Sequence, residues 1–152
     1  MKNMNRPLKF RVWDKANNKF IDPFRFEWNN YYKTTGMVLL DLNGKIRIAD
    51  YAIGNGDNSA SSVYSEVDNQ DNYIVQEYTG LTDKNGNPIF EDDIVKWGDL
   101  NYLVEWNDIA YKWQGRCPYY HSYHHPTTEH FRDLMNGIII SNIFEHKHLL
   151  EK

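Results

Sequence analysis

The chain has 152 residues, enough for one domain or two small ones, and its single cysteine, Cys117, excludes an intramolecular disulfide and so a disulfide-stapled secreted scaffold. Hydrophobic residues make up 41% and aromatic residues 15% of the chain, and the high share of rings favours β structure. The net charge is −4, and no apolar run has the length of a signal peptide or a membrane span, so we expect a cytoplasmic protein.

The charge is unevenly distributed along the chain. Residues 1–47 contain ten Lys or Arg against four Asp or Glu, whereas residues 50–108 contain two Lys against thirteen Asp or Glu. The acidic middle argues against a nucleic-acid groove there, because affinity for phosphates comes mostly from Lys and Arg. The basic N-terminal third keeps nucleic-acid binding open as an alternative. Its candidate residues are Lys2, Arg6, Lys9, Arg11, Lys15 and Lys19.

Two β-hairpins are predicted in the first third of the chain. Residues 10–14 alternate apolar and charged side chains, and after a turn at residues 15–18 the strand pattern resumes. The second hairpin surrounds Asn43-Gly44, a dipeptide that tolerates the two positive φ angles of a type I′ turn. Residues 1–53 are therefore predicted to form an N-terminal β region.

A polar segment follows at residues 54–72, rich in Gly, Asn, Asp and Ser. Few apolar residues and many turn formers are typical of a long loop or linker, so this segment is the predicted boundary between the two halves. Residues 61–67 within it are compatible with a short helix or strand.

The second half, residues 73–152, is predicted to be a small β-barrel of the SH3-like kind. Its strands are short and closely spaced, which favours a barrel over an α/β sheet. The predicted strands are residues 73–78, 88–90, 94–97, 101–106, 110–113 and 138–144. Thr128 is the expected N-cap of a short helix reaching Met135. Residues 145–151 are expected to be a polar tail that is compatible with a helix, and truncation after Glu145 is expected to be tolerated.

The stretch Tyr78–Val95, which reads YTGLTDKNGNPIFEDDIV, resembles the signature of the YopX family, small proteins encoded by bacteriophages and prophages. Lys9–Asp14 looks like the opening strand of that family, and residues 142–145 with Leu149-Leu150 look like its closing segment. The resemblance implies a β-rich fold with a small barrel in the C-terminal half. It implies no reaction, because the family has no established activity.

Three positions depart from the family pattern. Asp92 stands where the family usually has Gly, Ser141 where it often has Gly, and Lys147 where it often has Pro. The family residues at these positions, Gly and Pro, are turn formers, so the departures concern local backbone geometry.

Two clusters contain residue types that are typical of metal or catalytic sites. The set Cys117, His121, His124, His125 and His130 has the ligand types of a zinc site but lacks the paired spacing of a structural one. We expect no metal and no cofactor. The carboxylates of residues 91–93 are consecutive, and consecutive residues on a strand point to opposite faces, so all three cannot converge. The family resemblance accounts for them as the turn entering a strand, and we expect no catalytic pair.

An aromatic set on the predicted strands of the second half is the candidate protein-binding surface. Most of its rings are expected in the barrel core, and the functional hypothesis is a groove that grips a peptide. The set comprises Trp97, Tyr102, Trp106, Tyr111 and Trp113.

The sequence predicts a phage- or prophage-encoded, non-catalytic interaction protein that binds a host or phage protein. Homo-oligomerisation stays open, and a membrane partner is not expected. The alternatives are nucleic-acid binding through the basic third and, last, a hydrolase without a recognisable motif.

Overall fold

The structure is a computed structural model, and it describes residues 9–21, 26–27, 35–41, 43, 45–53, 60–66, 70–118 and 133–151. Within these ranges the predicted mainly β class is confirmed, with antiparallel strand pairs and one short α-helix. The strands are β1 (Phe10–Asp14), β2 (Lys19–Phe20), β3 (Phe26–Glu27), β4 (Thr35–Leu40), β5 (Ile46–Ile53), β6 (Ala60–Glu66), β7 (Tyr73–Thr82), β8 (Pro88–Phe90), β9 (Asp93–Trp97), β10 (Leu100–Asn107), β11 (Lys112–Arg116) and β12 (Ile138–Asn142). The helix α1 is Ile143–His146, and 3-10 turns are found at Gln70–Asn72, Asp133–Asn136 and Lys147–Leu150. No described helix is long and apolar enough to cross a membrane.

The chain divides into two compact units, one of residues 11–75 and one of residues 76–152 with the N-terminal residues up to Phe10. Residues 54–72, the predicted linker or loop, include strand β6, which pairs along its whole length with β5. The same segment includes the 3-10 turn that precedes β7. Residues 54–59 and 67–69 lie outside the described residues.

The first predicted hairpin is present in the unit of residues 11–75. Strands β1 and β2 pair with Trp13 opposite Phe20 and Asp14 opposite Lys19. The Asp14 carboxylate closes the turn by accepting the main-chain N–H groups of Ala16 and Asn17 at 2.9 and 3.1 Å. A short polar side chain at a strand end offers this bond without distorting the ladder.

The second predicted hairpin is also present, but its predicted two-residue turn is wrong. Leu40 pairs with Ile46, so five residues separate the paired positions. The Asp41 N–H donates to the Lys45 carbonyl at 2.9 Å, and the Asp41 carboxylate accepts the N–H groups of Asn43 and Lys45. The carboxylate therefore selects a longer loop over the type I′ turn that Asn-Gly alone favours.

Strands β3 to β6 continue as an antiparallel meander. The described core of this unit is Val12, Ile21 and Ile46, with Tyr73 and Val75 packed against them.

The unit of residues 76–152 is built on a sheet with strand order β11-β10-β9-β12. Alternate residues of β9 and β10 supply two apolar clusters, because successive side chains point to opposite faces. The larger cluster is Ile89, Val95, Tyr102, Val104, Trp113, Cys117 and Leu134. The smaller one is Ile94, Leu103 and Leu150, with Ile143 and Leu149 against it.

The C-terminal segment differs from the prediction in two respects. The strand predicted for residues 138–144 ends at Asn142, whose side-chain oxygen accepts the N–H groups of Phe144 and Glu145 and so caps α1. The tail is not polar and exposed throughout, since Leu150 is 9% exposed and packs with Ile94 and Leu103. Hydrophobic spacing in a tail this short carries no clear period, which is why the sequence did not reveal it.

Two further boundaries shift. The strand predicted at residues 110–113 is β11, Lys112–Arg116, because the turn before it is longer than predicted. Of the helix predicted from Thr128 to Met135, the described part is the 3-10 turn Asp133–Asn136, and residues 128–132 lie outside the described residues.

The burial of the tail yields the first prediction. Leu150→Ala should lower the free energy of unfolding by about 2–5 kcal/mol, the range for a buried leucine truncated to alanine. Urea denaturation followed by tryptophan fluorescence measures the change. The control is Lys147→Ala, an exposed position in the same 3-10 turn. Equal stability of the two variants would contradict the packing described for Leu150.

Candidate functional site

The segment Tyr78–Val95, hereafter the signature hairpin, consists of the second half of β7, a tight loop, β8 and the start of β9. The Thr79 hydroxyl donates to the Ile89 carbonyl at 2.8 Å across the two strands. Gly80 follows with φ at 88°, a left-handed conformation that favours glycine. The register between β7 and β8 shifts at this point, which marks a bulge held by the threonine.

The Asp83 carboxylate organises the loop of the signature hairpin. One oxygen accepts the N–H groups of Asn85 and Asn87, both at 2.8 Å. The other accepts the Asn87 side-chain amide and, from a distant part of the chain, the Ile139 N–H, both at 3.1 Å. Gly86 has φ at 84°, a left-handed conformation, and its N–H donates to the Asp83 carbonyl at 3.0 Å, which closes a turn over residues 83–86. The carboxylate therefore fixes both the loop and the strand β12 beside it.

Burial and hydrogen bonding act on Asp83 in opposite directions. The side chain belongs to a residue that is only 4% exposed, and burial raises the pKa of its carboxyl. The hydrogen bonds from Asn87, Ile139 and Asn85 outweigh that effect and hold the pKa below its usual value. The group is therefore ionised in the folded protein at neutral pH.

The acidic run at residues 91–93 makes a second turn of the signature hairpin. Asp92, where the family usually has Gly, has φ at 63°, a left-handed conformation that Asp tolerates better than most residues. Its N–H donates to the Val104 carbonyl at 2.8 Å and its carboxylate accepts the Gln76 side-chain amide at 3.0 Å. The Asp93 carboxylate accepts the Phe90 N–H at 2.9 Å.

These carboxylates serve different partners because Glu91 and Asp92 lie in the turn before β9, as the family resemblance implied, and not on a continuous strand. Burial raises the pKa of the Glu91 carboxyl, and the neighbouring charges of Asp92 and Glu77 add to the effect. In the described part of the signature hairpin, the polar side chains thus bond mainly to the chain's own backbone and to neighbouring side chains. The family signature encodes turn geometry here.

The β10–β11 hairpin, hereafter the aromatic hairpin, carries most of the predicted binding residues. Tyr102 and Trp113 are buried in the larger apolar cluster, and the half-buried Trp97 packs against it. Tyr111 is 80% exposed and Trp106 is 39% exposed. The structure therefore assigns part of the predicted set to the core and leaves two rings at the surface.

The sequence prediction missed Ile109, which is 92% exposed at the tip of the same hairpin. The Asn107 side-chain oxygen accepts the N–H groups of Ile109 and Ala110 at 2.9 and 2.8 Å. An isoleucine inside a turn held by an asparagine was the available signal, because turn tips are normally polar.

Trp106 and Trp113 face each other across the aromatic hairpin. Their ring centroids are 5.3 Å apart in an edge-to-face arrangement, a favourable geometry for two aromatic rings. The indole N–H of Trp113 is buried and has no hydrogen-bond partner within the described ranges. A buried indole usually finds an acceptor, so this donor is a local deficit.

The opposite face of the aromatic hairpin is polar and internally satisfied. Asn107 donates to Gln114 at 2.7 Å, and Gln114 donates to Glu105 at 2.8 Å. Glu105 also accepts from Arg116 at 2.9 Å in an ion pair. These side chains are occupied with one another.

Three of the four described basic candidates for nucleic-acid binding make a contact within the chain. The Lys9 ammonium lies 5.4 Å from the Tyr78 ring centroid, and the Arg11 guanidinium lies 4.3 Å from that of Phe20. The Lys15 ammonium donates to the Asp71 carbonyl at 2.6 Å. Lys19 is exposed on β2, and Lys2 and Arg6 lie outside the described residues.

Cys117 is a buried free thiol in the larger apolar cluster. The four histidines considered with it, at residues 121–130, lie outside the described residues. Over the part of the chain that the structure describes, no group of three or more His, Cys, Asp or Glu is placed to hold a metal ion.

Comparison with known proteins identifies the family of this chain and a solved structure with a similar fold. The model of the YopX protein family matches residues 9–151, nearly the whole chain, so the chain belongs to the YopX family. The chain is similar to the crystal structure of protein EF1440 from Enterococcus faecalis, with 22% sequence identity, coverage of 95% of this chain and 99% of that one, and a TM-score of 0.53. At that identity the likeness concerns the fold alone. No curated relative matches the chain.

The bonds of Asp83 yield the second prediction. Asp83→Asn keeps one carbonyl oxygen but removes the charge and one acceptor, so at neutral pH it should lower the free energy of unfolding by about 1.5–3 kcal/mol. Because folding lowers the pKa of Asp83, its stabilisation is present above the unfolded pKa and is lost as pH falls through the folded one. The stability difference between wild type and variant should therefore shrink on acidification.

Denaturation midpoints measured from neutral to acidic pH test this, with Asp108→Asn, at an exposed turn carboxylate, as the control. A difference that stays constant with pH would show that the charge of Asp83 is not what stabilises the loop.

Proposed function

We propose that this YopX protein is a non-catalytic interaction protein, encoded by a phage or prophage, that binds a host or phage protein through the tip of its aromatic hairpin. The observation that carries the proposal is Tyr111, a large exposed ring held at φ 49°. A bulky residue with positive φ is an outlier that costs stability, and such outliers cluster at functional sites.

The turn after Asp14 provides a comparison for the residue type at the position of Tyr111. The turns after Asp14 and after Asn107 both have four residues between the closing pair, and in both an Asx side chain accepts two main-chain N–H groups. The left-handed position is Asn18 in the first turn, with φ at 51°, and Tyr111 in the second. Asn tolerates this conformation better than Tyr does, which supports a role for the Tyr111 ring beyond closing the turn.

The neighbours of Tyr111 support the same proposal. Ile109 and Trp106 add exposed apolar surface on the same hairpin, and clusters of this kind mark interaction sites. Tyr and Trp are enriched among the residues that dominate binding energy. The bonds of Asn107 hold the tip in place before any partner arrives, which lowers the ordering cost of binding.

The proposal also includes the cellular compartment and the barrel class of the C-terminal half. We assign the protein to the cytoplasm of a bacterial host cell and its C-terminal half to the SH3-like barrel class, on the strand pattern and the family resemblance. The hydrolase alternative ranks last, because the carboxylates of the signature hairpin are committed to turn geometry and to Gln76.

The third prediction separates the binding role of Tyr111 from its structural cost. Tyr111→Asn should raise the free energy of unfolding by roughly 0.5–1 kcal/mol, because Asn is less strained at positive φ. The same change should reduce capture of the partner from a host lysate at least tenfold. The reciprocal variant Asn18→Tyr should lower stability.

Binding is measured by capture on the immobilised full chain, with the bound protein identified by mass spectrometry. The control is Ile138→Ser, which removes an exposed apolar side chain on β12 instead. Undiminished capture by Tyr111→Asn would show that the tip of the aromatic hairpin is not the binding surface.

The fourth prediction addresses the nucleic-acid alternative. Electrophoretic mobility of duplex DNA should be unchanged by the protein at 50 and at 200 mM salt, since three of the described basic candidates contact aromatic rings or a carbonyl. A shift at low salt that disappears at high salt, and that Lys19→Ala weakens, would favour the basic N-terminal third instead.

A further inference from the structure

The loop of the signature hairpin contains a chemically labile dipeptide, Asn85-Gly86. Asn is a thermolabile residue, because the main-chain nitrogen of the following residue can attack its side-chain carbonyl. Gly at the following position favours this attack, since it has no Cβ to hinder the approach and its backbone is the least restricted. The dipeptide is therefore a candidate site of spontaneous covalent modification.

Exposure distinguishes Asn85-Gly86 from the other Asn-Gly dipeptides of the chain, which are found at residues 43–44, 55–56 and 136–137. Asn85 and Gly86 are both exposed, whereas Gly137 is buried. Residues 44, 55 and 56 lie outside the described residues. Water and base can reach both members of the dipeptide in the signature hairpin.

The modification is deamidation, which needs only water as a co-reactant. The Gly86 main-chain nitrogen gives up its proton and bonds to the Asn85 Cγ, the bond from Cγ to Nδ2 breaks, and ammonia leaves with that proton. Water then opens the resulting succinimide ring. Attack at Cγ gives aspartate, whereas attack at the main-chain carbonyl gives isoaspartate, in which the main chain runs through the former side chain.

The closed loop restrains the attacking nitrogen. The Gly86 N–H donates to the Asp83 carbonyl at 3.0 Å, so the proton that must leave is held in a hydrogen bond. The Asp83 carboxylate also fixes the residues on both sides of this nitrogen, because it accepts the N–H groups of Asn85 and Asn87 at 2.8 Å. Ring closure therefore requires the loop to open first.

Isoaspartate at residue 85 is incompatible with the closed loop. It adds a methylene group to the main chain between the N–H groups of Asn85 and Asn87, which share one oxygen of Asp83. Hydrogen bonds depend steeply on distance and angle, so the longer main chain does not keep both bonds. The same loop is bonded to β12, since Asp83 accepts the Ile139 N–H at 3.1 Å and the Lys84 N–H donates to the Gly137 carbonyl at 2.9 Å.

We propose that Asn85 is a deamidation site that the Asp83 carboxylate protects. While the loop is closed, the Gly86 nitrogen is kept from the side chain of Asn85. Once the loop opens, succinimide formation and hydrolysis to isoaspartate prevent it from closing again and release β12 from the loop. This inference goes beyond the binding role of the aromatic hairpin and does not depend on it.

Deamidation rates at single residues give the first test. Folded wild type, wild type unfolded in urea, and Asp83→Asn are incubated in mildly alkaline buffer, and mass spectrometry of peptides follows conversion at residue 85. Conversion should be slower by about tenfold or more in folded wild type than in the other two, because opening precedes ring closure. Asn43-Gly44 lies in the unit of residues 11–75, and Asp83→Asn should leave its rate unchanged.

Equal conversion at residue 85 in folded and unfolded wild type would overturn the proposal, because the closed loop would then give no protection. Conversion in Asp83→Asn as slow as in folded wild type would also overturn it, since the protection would not come from the carboxylate.

Amide hydrogen exchange at Ile139 tests the release of β12. The isoaspartate form is purified by chromatography, and the control is Asn85→Asp, which adds the same charge without lengthening the main chain. Ile139 should lose protection in the isoaspartate form and keep it in Asn85→Asp. Protection kept in both proteins, or lost in both, would overturn the release mechanism, because main-chain lengthening would then not be what separates β12 from the loop.

Discussion

The carboxylate of Asp83 is the interaction on which the C-terminal unit most depends. It accepts three N–H groups from its own loop and one from Ile139 on β12, so one buried charge specifies a turn and anchors a strand far along the chain. Hydrogen bonds to an ionised group are stronger than neutral ones, and removing the carboxylate takes their acceptor from the N–H groups of the loop and from that of the half-buried Ile139. The sheet β11-β10-β9-β12 is thereby held at the β12 side.

Side-chain oxygens that accept main-chain N–H groups recur at other turns of the chain. These bonds explain which parts of the fold the sequence could predict and which it could not. The Asp-x-Asn-Gly stretches at residues 41–44 and 83–86 were recognisable as turns, and the resemblance to the YopX family was recognisable from the signature. The loop length after Asp41 was not, because it depends on a carboxylate bonding to N–H groups two and four residues ahead. Likewise, the end of β12 depends on the capping bonds of Asn142.

The candidate site was predictable only in part for a related reason. Period-2 alternation placed Tyr102 and Trp106 on one face of β10, yet alternation cannot say where the core ends along a strand. The structure buries Tyr102 and leaves Trp106 partly exposed, and the tip carries Ile109 and Tyr111, whose exposure comes from turn geometry rather than strand pattern. The family signature and the proposed binding surface are therefore separate: one shapes the fold, and the other lies on the neighbouring hairpin.

The coupling of the Asp83 loop to β12 depends on the charge of Asp83. Its most direct test is amide hydrogen exchange at Ile139, Asn85 and Asn87, measured in wild type and in Asp83→Asn under conditions where both are folded. We expect all three amides to be protected in wild type and to lose protection together in the variant. Protection retained at Ile139 while the two loop amides open would contradict it, because β12 would then be held independently of the carboxylate.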